Sequence, residues 1–315
     1  MRFIGTFGAF FETEKKSDFD LLGLKVRNWD LKLNARTKSA IMLLAPITSY
    51  RKRREMERKA DIQQQRNYVV VKSNEMIQRA RYDLNATELK TLAFIISKIK
   101  PTDTELQEYT FPIREFGQVC GIDYTSGKNY KRIKATLKGL RDKSFWIKDE
   151  NGHETLVGWL QKARINKGSG KITVRLDEDM QKYVLGLFDN FTQYELLSTL
   201  PMKSAYSFRM YEILKSYSFA GGHTFNTDEL KRQLAAEHYT NFKDFRTKVI
   251  EVAVKEINLY TDIEVSWEPI TYGRKVIEVK FTIKQRDSWG RYMAATNATK
   301  ELDGQLDIFD FLDTI

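Results

Sequence analysis

Apolar positions divide most of this chain into short periodic segments. Tyr68-Val69-Val70-Val71 predicts a strand, and Ser73 to Ala80 a small helix. A stronger helix signal follows: Asn85 stands as an N-cap with Glu88 three residues on, and Leu84 and Leu89 occupy hydrophobic-staple positions. Leu89, Leu92, Ala93, Ile96 and Ile99 then mark one buried face up to Pro101. Next come a strand over Tyr109 to Ile113, a helix from about Arg114 to Cys120, a turn over Gly121 to Gly127 and a long helix to about Lys143. Tyr130, Ile133, Leu137 and Leu140 recur in that helix as one inward stripe. Strands at Phe145 to Lys148, Thr155 to Ile165 and Lys171 to Leu176 complete the set, the last two joined by Asn166-Lys167-Gly168-Ser169-Gly170.

The same order is then written again. A helix over Met202 to Tyr217 is entered through Pro201, a strand surrounds Thr224, and a helix runs from about Asp228 to Ala236. The next helix, Asn241 to Tyr260, is expected to bury Phe245, Val249, Val252, Ala253 and Ile257. Ile263, Val265 and Trp267 alternate, as do Ile277, Val279, Phe281 and Ile283, so a hairpin turns at Tyr272-Gly273-Arg274-Lys275. Landmarks pair across the copies: Tyr109 with His223, Glu115 with Glu229, Tyr124 with Tyr239 and Leu137 with Val254, at offsets of 114, 114, 115 and 117 residues. That slow drift fits a duplicated fold absorbing small insertions. Three helices followed by a hairpin make a winged helix. The expected class is therefore α+β, with two tandem winged-helix domains related by pseudo-duplication. The expected divisions are an N-terminal extension to residue 66, domains over 67–190 and 191–286, and a flexible acidic tail over 287–315.

Charge turns this outline toward a partner. The 315 residues carry 52 cations and 42 acids, a net charge of +10, which favours a polyanion. The surplus is concentrated: residues 126–143 hold Lys128, Lys131, Arg132, Lys134, Lys138, Arg141 and Lys143 against the single acid Asp142. So many like charges on one helix repel each other unless phosphates neutralise them. Lys162, Arg164, Lys167 and Lys171 on the first hairpin suit a DNA backbone or minor groove. In the second copy, Asn241, Lys243, Arg246, Thr247 and Lys248 at the entering end of the third helix suit base edges and phosphates, and Arg274 and Lys275 make the second hairpin tip basic. The basic run from Arg51 reads equally as a solvated helix, a linker or an arm on DNA. Met56, inside it, is a candidate natural start.

Catalytic signatures are missing. Gly127-Lys128-Asn129 and Gly168-Ser169-Gly170-Lys171 lack the spacing of a phosphate loop. His153, His223 and His238 are scattered, without metal-ligand spacing. No enzyme activity, cofactor or metal is expected. Cys120, the one cysteine, reads as a small core residue in a reducing compartment. No run is long enough to span a membrane, and Phe3 to Phe11 lacks the flanks of a signal peptide.

Between residues 67 and 286 the chain resembles the tandem winged-helix replication initiators of iteron-containing bacterial plasmids. The resemblance rests on Tyr82-Asp83-Leu84-Asn85 with Glu88-Leu89-Lys90, Gly158-Trp159-Leu160, the Gly170 to Leu176 strand leading into a short helix, and the run from Tyr206 to Leu214. It implies that both domains bind direct repeats in double-stranded origin DNA. It also implies that a monomer helps open the duplex and recruit host factors such as a helicase or its loader, that a homodimer in equilibrium with it represses the initiator's own gene, and that the protein is cytoplasmic. A winged-helix transcriptional repressor is the alternative. Gln305-Leu306-Asp307-Ile308-Phe309, in an acidic stretch that begins at Glu301, looks like the pentapeptide by which bacterial replication proteins dock on the polymerase sliding clamp. Gln305, Leu306, Ile308 and Phe309 are its expected contacts.

Overall fold

The computed structural model describes residues 53–121, 127–148, 152–166 and 168–312, together with the antiparallel strands β1 (Phe19–Leu21) and β2 (Leu24–Val26). Side chains over 127–129 and 305–312 lie outside that description, as do Phe3 to Phe11, Arg51, Lys52, Tyr124 and Thr125. The chain divides into two units, Met1–Asp61 and Ile62–Ile315. Residues 53–66 are helical (α1), and the pairs Arg53–Glu57 and Lys59–Glu55 lie along it at helical spacing.

The first domain begins with β3 (Val69–Ser73) and α2 (Asn74–Arg79). The first helix of the winged helix is α3 (Ala86–Ile96), closed by the expected capping box between Asn85 and Glu88. It ends at Ile96, five residues before the expected stop at Pro101: Ser97 bonds back to Phe94 through its hydroxyl, and Lys98 and Ile99 turn onto carbonyls three residues earlier. Strand β4 (Tyr109–Pro112) and helices α4 (Ile113–Cys120) and α5 (Gly127–Asp142) follow. Gly121, at φ 63, terminates α4 in the left-handed conformation that glycine adopts without penalty. Ile133, Leu137 and Leu140 of α5 are buried as the stripe requires, and Tyr130 is half-buried.

One strand expected over Thr155 to Ile165 is two strands in different sheets. β5 (Ser144–Lys148) pairs with β6 (Glu154–Gly158), whereas β7 (Leu160–Asn166) pairs with β8 (Lys171–Leu176). The chain bends between them at Gly158, where a Cβ would stand 2.8 Å from the Asp177 carboxylate and would force that side chain to shift. Trp159, next to the bend, is fully buried. The domain closes with α6 (Gln181–Val184) and β9 (Phe191–Glu195), which pairs with β3 although it lies beyond the expected division at 190.

The second domain repeats the plan with α7 (Ala205–Ser216), β10 (Gly222–Asn226), α8 (Thr227–Gln233), a third helix, and the hairpin β11 (Ile263–Tyr272) and β12 (Lys275–Gln285). Both three-stranded sheets have the same topology, with the second hairpin strand in the middle: β4-β8-β7 and β10-β12-β11. Phe111 and Phe225, 114 residues apart, occupy matching buried places against Ile172 and Val279. The fold is two tandem winged-helix domains.

The third helix of this copy is α9 (Phe242–Phe245) and α10 (Glu251–Tyr260), joined through a π turn over Arg246–Ile250. The wider turn slips the inward phase by one residue. Val249 and adjacent Ile250 are both buried, and Val252, expected inside, is exposed. Part of the drift in offset therefore lies within this helix. In β12 the alternation likewise fails at Ile277, which is exposed.

The segment expected to be a flexible tail is helical. α11 (Ser288–Leu312) buries Ala294, Ala298 and Leu302, and it packs on α10. Asp303 pairs with buried Arg66 at 2.9 Å, and Glu301 with Lys203 at 2.8 Å. Small and apolar positions four residues apart make an inward helical stripe without a long apolar run.

Residues from three of the motifs behind the family resemblance meet at the seam between the domains. Trp159 stacks on Phe145 at 4.3 Å and meets Tyr82 edge-on at 4.7 Å, and the Arg209 guanidinium lies 4.0 Å over the Tyr82 ring. Glu212, fully buried on α7, accepts from Lys72 (2.6 Å), Arg209 (2.7 Å), Tyr194 (2.7 Å) and Tyr82 (3.2 Å). Burial would raise its pKa, but the Lys72 and Arg209 charges and the hydrogen bonds hold it at about 2. Burial draws the Lys72 ammonium below the usual lysine range despite that partner. Cys120 is buried, and burial pushes its thiol up to about 12, as a core cysteine requires.

Candidate nucleic-acid interface

α5 presents its cations because its apolar stripe is occupied by packing against α3 and β7. Gly139 leaves room for the Glu88 carboxylate: a Cβ there would fall 2.2 Å from Glu88 Oε1. Lys143, counted with the cations in the sequence, turns toward the same carboxylate at 2.7 Å. Lys131, Arg132, Lys134, Lys138 and Arg141 remain exposed. Lys138 pairs with Asp142 at the surface, and Lys134 lies 6.0 Å from the Tyr130 ring centre. An exposed pair of this kind contributes under about 1 kcal/mol, so a phosphate can displace the acid readily. The side chain of Lys128 lies outside the described residues.

The first hairpin flanks this helix. Arg164 and Lys171 are exposed, whereas Lys162 is half-buried and paired with Glu108. Lys167 lies outside the described residues; beside it, Asn166 accepts from the backbone N–H groups of Gly168 (3.0 Å) and Ser169 (3.2 Å), which fixes the turn.

The second domain's residues are more committed to local structure. Asn241, expected at a base edge, caps its own helix by accepting from the Asp244 N–H at 2.8 Å, and its amide donates to the Asp244 carboxylate. Thr247 donates to the Lys243 carbonyl at 3.0 Å. Arg246 pairs with Glu251 (3.3 Å) and Lys248 with Asp244 (3.5 Å). The Asn241 hydrogen bond, with the charges of Lys248 and Lys243, keeps the Asp244 carboxyl below its usual range. Lys243, Arg246 and Lys248 are exposed, as are Arg274 and Lys275 at the second hairpin tip. The π turn over Arg246–Ile250, which re-aims these side chains, has no signal in the sequence pattern.

Among the described residues, no group of three His, Cys, Asp or Glu side chains is placed to hold a metal, and no helix is long and apolar enough to cross a membrane. His223 stacks on Tyr217 with ring centres 4.0 Å apart, and burial lowers its pKa.

Solved structures place this geometry among known folds. A crystal structure of the Pi initiator protein in complex with iteron DNA aligns over 70% of this chain and 99% of that one, with 18% identity and a TM-score of 0.57, a likeness of fold. Domains 2 and 3 of RctB align over 63% of this chain and 82% of that one at 13% identity, but a TM-score of 0.38 is too loose to argue from. In sequence, residues 69–215 match the family described as Initiator Replication protein, WH1, and residues 226–283 match Initiator Rep protein, WH2. With both domains matched in tandem order, the chain belongs to the replication initiator family.

Proposed function

We propose that this protein initiates plasmid replication without catalysis of its own, by binding direct repeats at the origin through both winged helices. The observation that carries the reading is the pairing of two like domains, of which the first exposes a helix whose cations have few acid partners. The Pi initiator of similar fold was crystallised with iteron DNA, and the same class of target suits this chain. Two third helices enter successive major grooves about 10 base pairs apart, which gives a site of roughly 20 base pairs. Lys128, Lys131, Arg132, Lys134, Lys138, Arg141, Lys162, Arg164 and Lys167 supply phosphate contacts. Asn241, Lys243, Arg246, Thr247, Lys248, Arg274 and Lys275 supply contacts at the second half, with Asn241 acting through the helix it caps. Binding promotes duplex opening and brings in the host helicase or its loader, and a homodimer in equilibrium with the initiating monomer represses the gene.

Footprinting on the DNA beside the coding gene tests this reading. Protection of tandem repeats of about 20 base pairs is expected; uniform protection of unrelated sequence would sink it. Gln305, Leu306, Ile308 and Phe309 are proposed to dock on the sliding clamp, on the strength of their chemistry and their place at the end of α11. Phe309→Ala should abolish clamp capture, and unchanged capture would dismiss the idea.

A further inference from the structure

The two hairpins differ in reach. β4 ends with Pro112 opposite Lys171, the first residue of β8, so among the described residues the first hairpin has no paired strand beyond its three-stranded sheet. β10 ends with Asn226 opposite Glu278, and β12 begins at Lys275. Lys275, Val276 and Ile277 therefore run on past the third strand. Within that overhang the register slips: Ile270 pairs with Glu278 and Thr271 with Val276, leaving Ile277 unmatched. Such a bulge bends the ribbon, increases its twist and re-aims the side chains beyond it. Those side chains are Tyr272 and Lys275, paired directly across the turn Gly273-Arg274, with Gly273 at the φ of 61 that the turn requires.

Tyr272 is 80% exposed, and it has no hydrogen bond or ring contact among the described residues. A lone exposed aromatic on a surface is ordinary. Here it stands on the tip of a bent overhang with Arg274 and Lys275, both exposed, beside it. Cations match the phosphates that wall a groove, and a flat apolar ring matches the sugar faces along it and packs against its floor. The minor groove, about 6 Å wide, admits tip side chains but not a two-stranded ribbon, which suits a contact confined to these residues. We propose that the second hairpin presents its tip to the minor groove and that Tyr272 reads the groove floor there, while Arg274 and Lys275 hold the flanking phosphates. The inference rests on the origin-binding reading above and adds to it a specificity-determining residue.

The test uses the full-length protein and duplexes carrying the repeat, with 2,6-diaminopurine replacing adenine one position at a time. That base adds an amino group to the minor-groove floor and leaves the major-groove edge of adenine intact. Wild-type binding should fall roughly fivefold at one or two positions. Y272A should bind the unmodified repeat more weakly by a similar factor, with an unchanged salt slope, and should be indifferent to the substitution. Y272F, which keeps the ring, should stay within about twofold of wild type. Wild-type affinity in Y272A, or the same diaminopurine penalty in both proteins, would overturn the proposal. A wild-type protein with no preference for the repeat would instead remove the origin-binding reading, and this inference with it.

Discussion

The third helices of the two domains share a fold and differ in charge. Residues 126–143 hold seven cations and one acid; residues 242–260 hold four cations and three acids. Over residues 126–143, Lys138 and Lys143 have acid partners among the described residues and Lys131, Arg132, Lys134 and Arg141 have none, whereas in the second copy Arg246 and Lys248 are both paired and Asn241 and Thr247 are bonded to their own helix. Unpartnered cations bind any phosphate backbone, but groups held in fixed positions discriminate among base edges only when the register is right. On the function proposed above, one duplicated frame would carry two tasks, with the first helix supplying affinity and the second choice.

That contrast depends on a seam that keeps the domains together. Replacing Glu212 with glutamine leaves Lys72 and Arg209 buried without their counter-charge, and the loss should be about 3–5 kcal/mol, read from urea midpoints. The same carboxylate predicts acid sensitivity. Its folded pKa of about 2 lies below the ordinary value, so its contribution is complete above the carboxylate range and is lost as pH falls through about 2. Wild-type stability should therefore decline over that interval by more than that of Glu212→Gln; parallel curves would show that the seam does not depend on this charge.

The next largest effect should come from Lys131, Arg132, Lys134 and Lys138 changed together to alanine. Repeat DNA and random DNA should lose affinity alike, with the salt slope reduced by about 0.9 for each phosphate contact removed. A loss confined to the repeat would reverse the roles assigned to the two helices. The smallest effect sharpens the contrast from the other side. Arg246→Ala should cost about 1–3 kcal/mol of preference for the repeat and change random binding little. Equal losses on both DNAs in a gel-shift titration would count against Arg246 as a discriminating residue.

Much of this is legible in the sequence. The capping box at Asn85, the stripe Ile133, Leu137 and Leu140, and the matched strands around Phe111 and Phe225 are local patterns, and local patterns follow from helical and strand periodicity. The cations of α5 were legible too, because an inward stripe leaves the other faces to water. Less visible were the commitment of Asn241 to its own cap, the exposure of Val252, and the helical state of α11, whose inward stripe is formed by two alanines and a leucine rather than a long apolar run.

The sequence by itself determined the order of elements, the repeat and the location of positive charge, since each depends on neighbours within a few positions. Tertiary structure decided the division of one apolar run at Gly158, the π turn at Arg246–Ile250, the bulge at Ile277 and the gathering of Tyr82, Trp159, Arg209 and Glu212 into one seam. The seam arises from contacts such as Lys72 with Glu212, 140 residues apart. Periodicity records which face of an element is apolar, but not which distant surface meets that face.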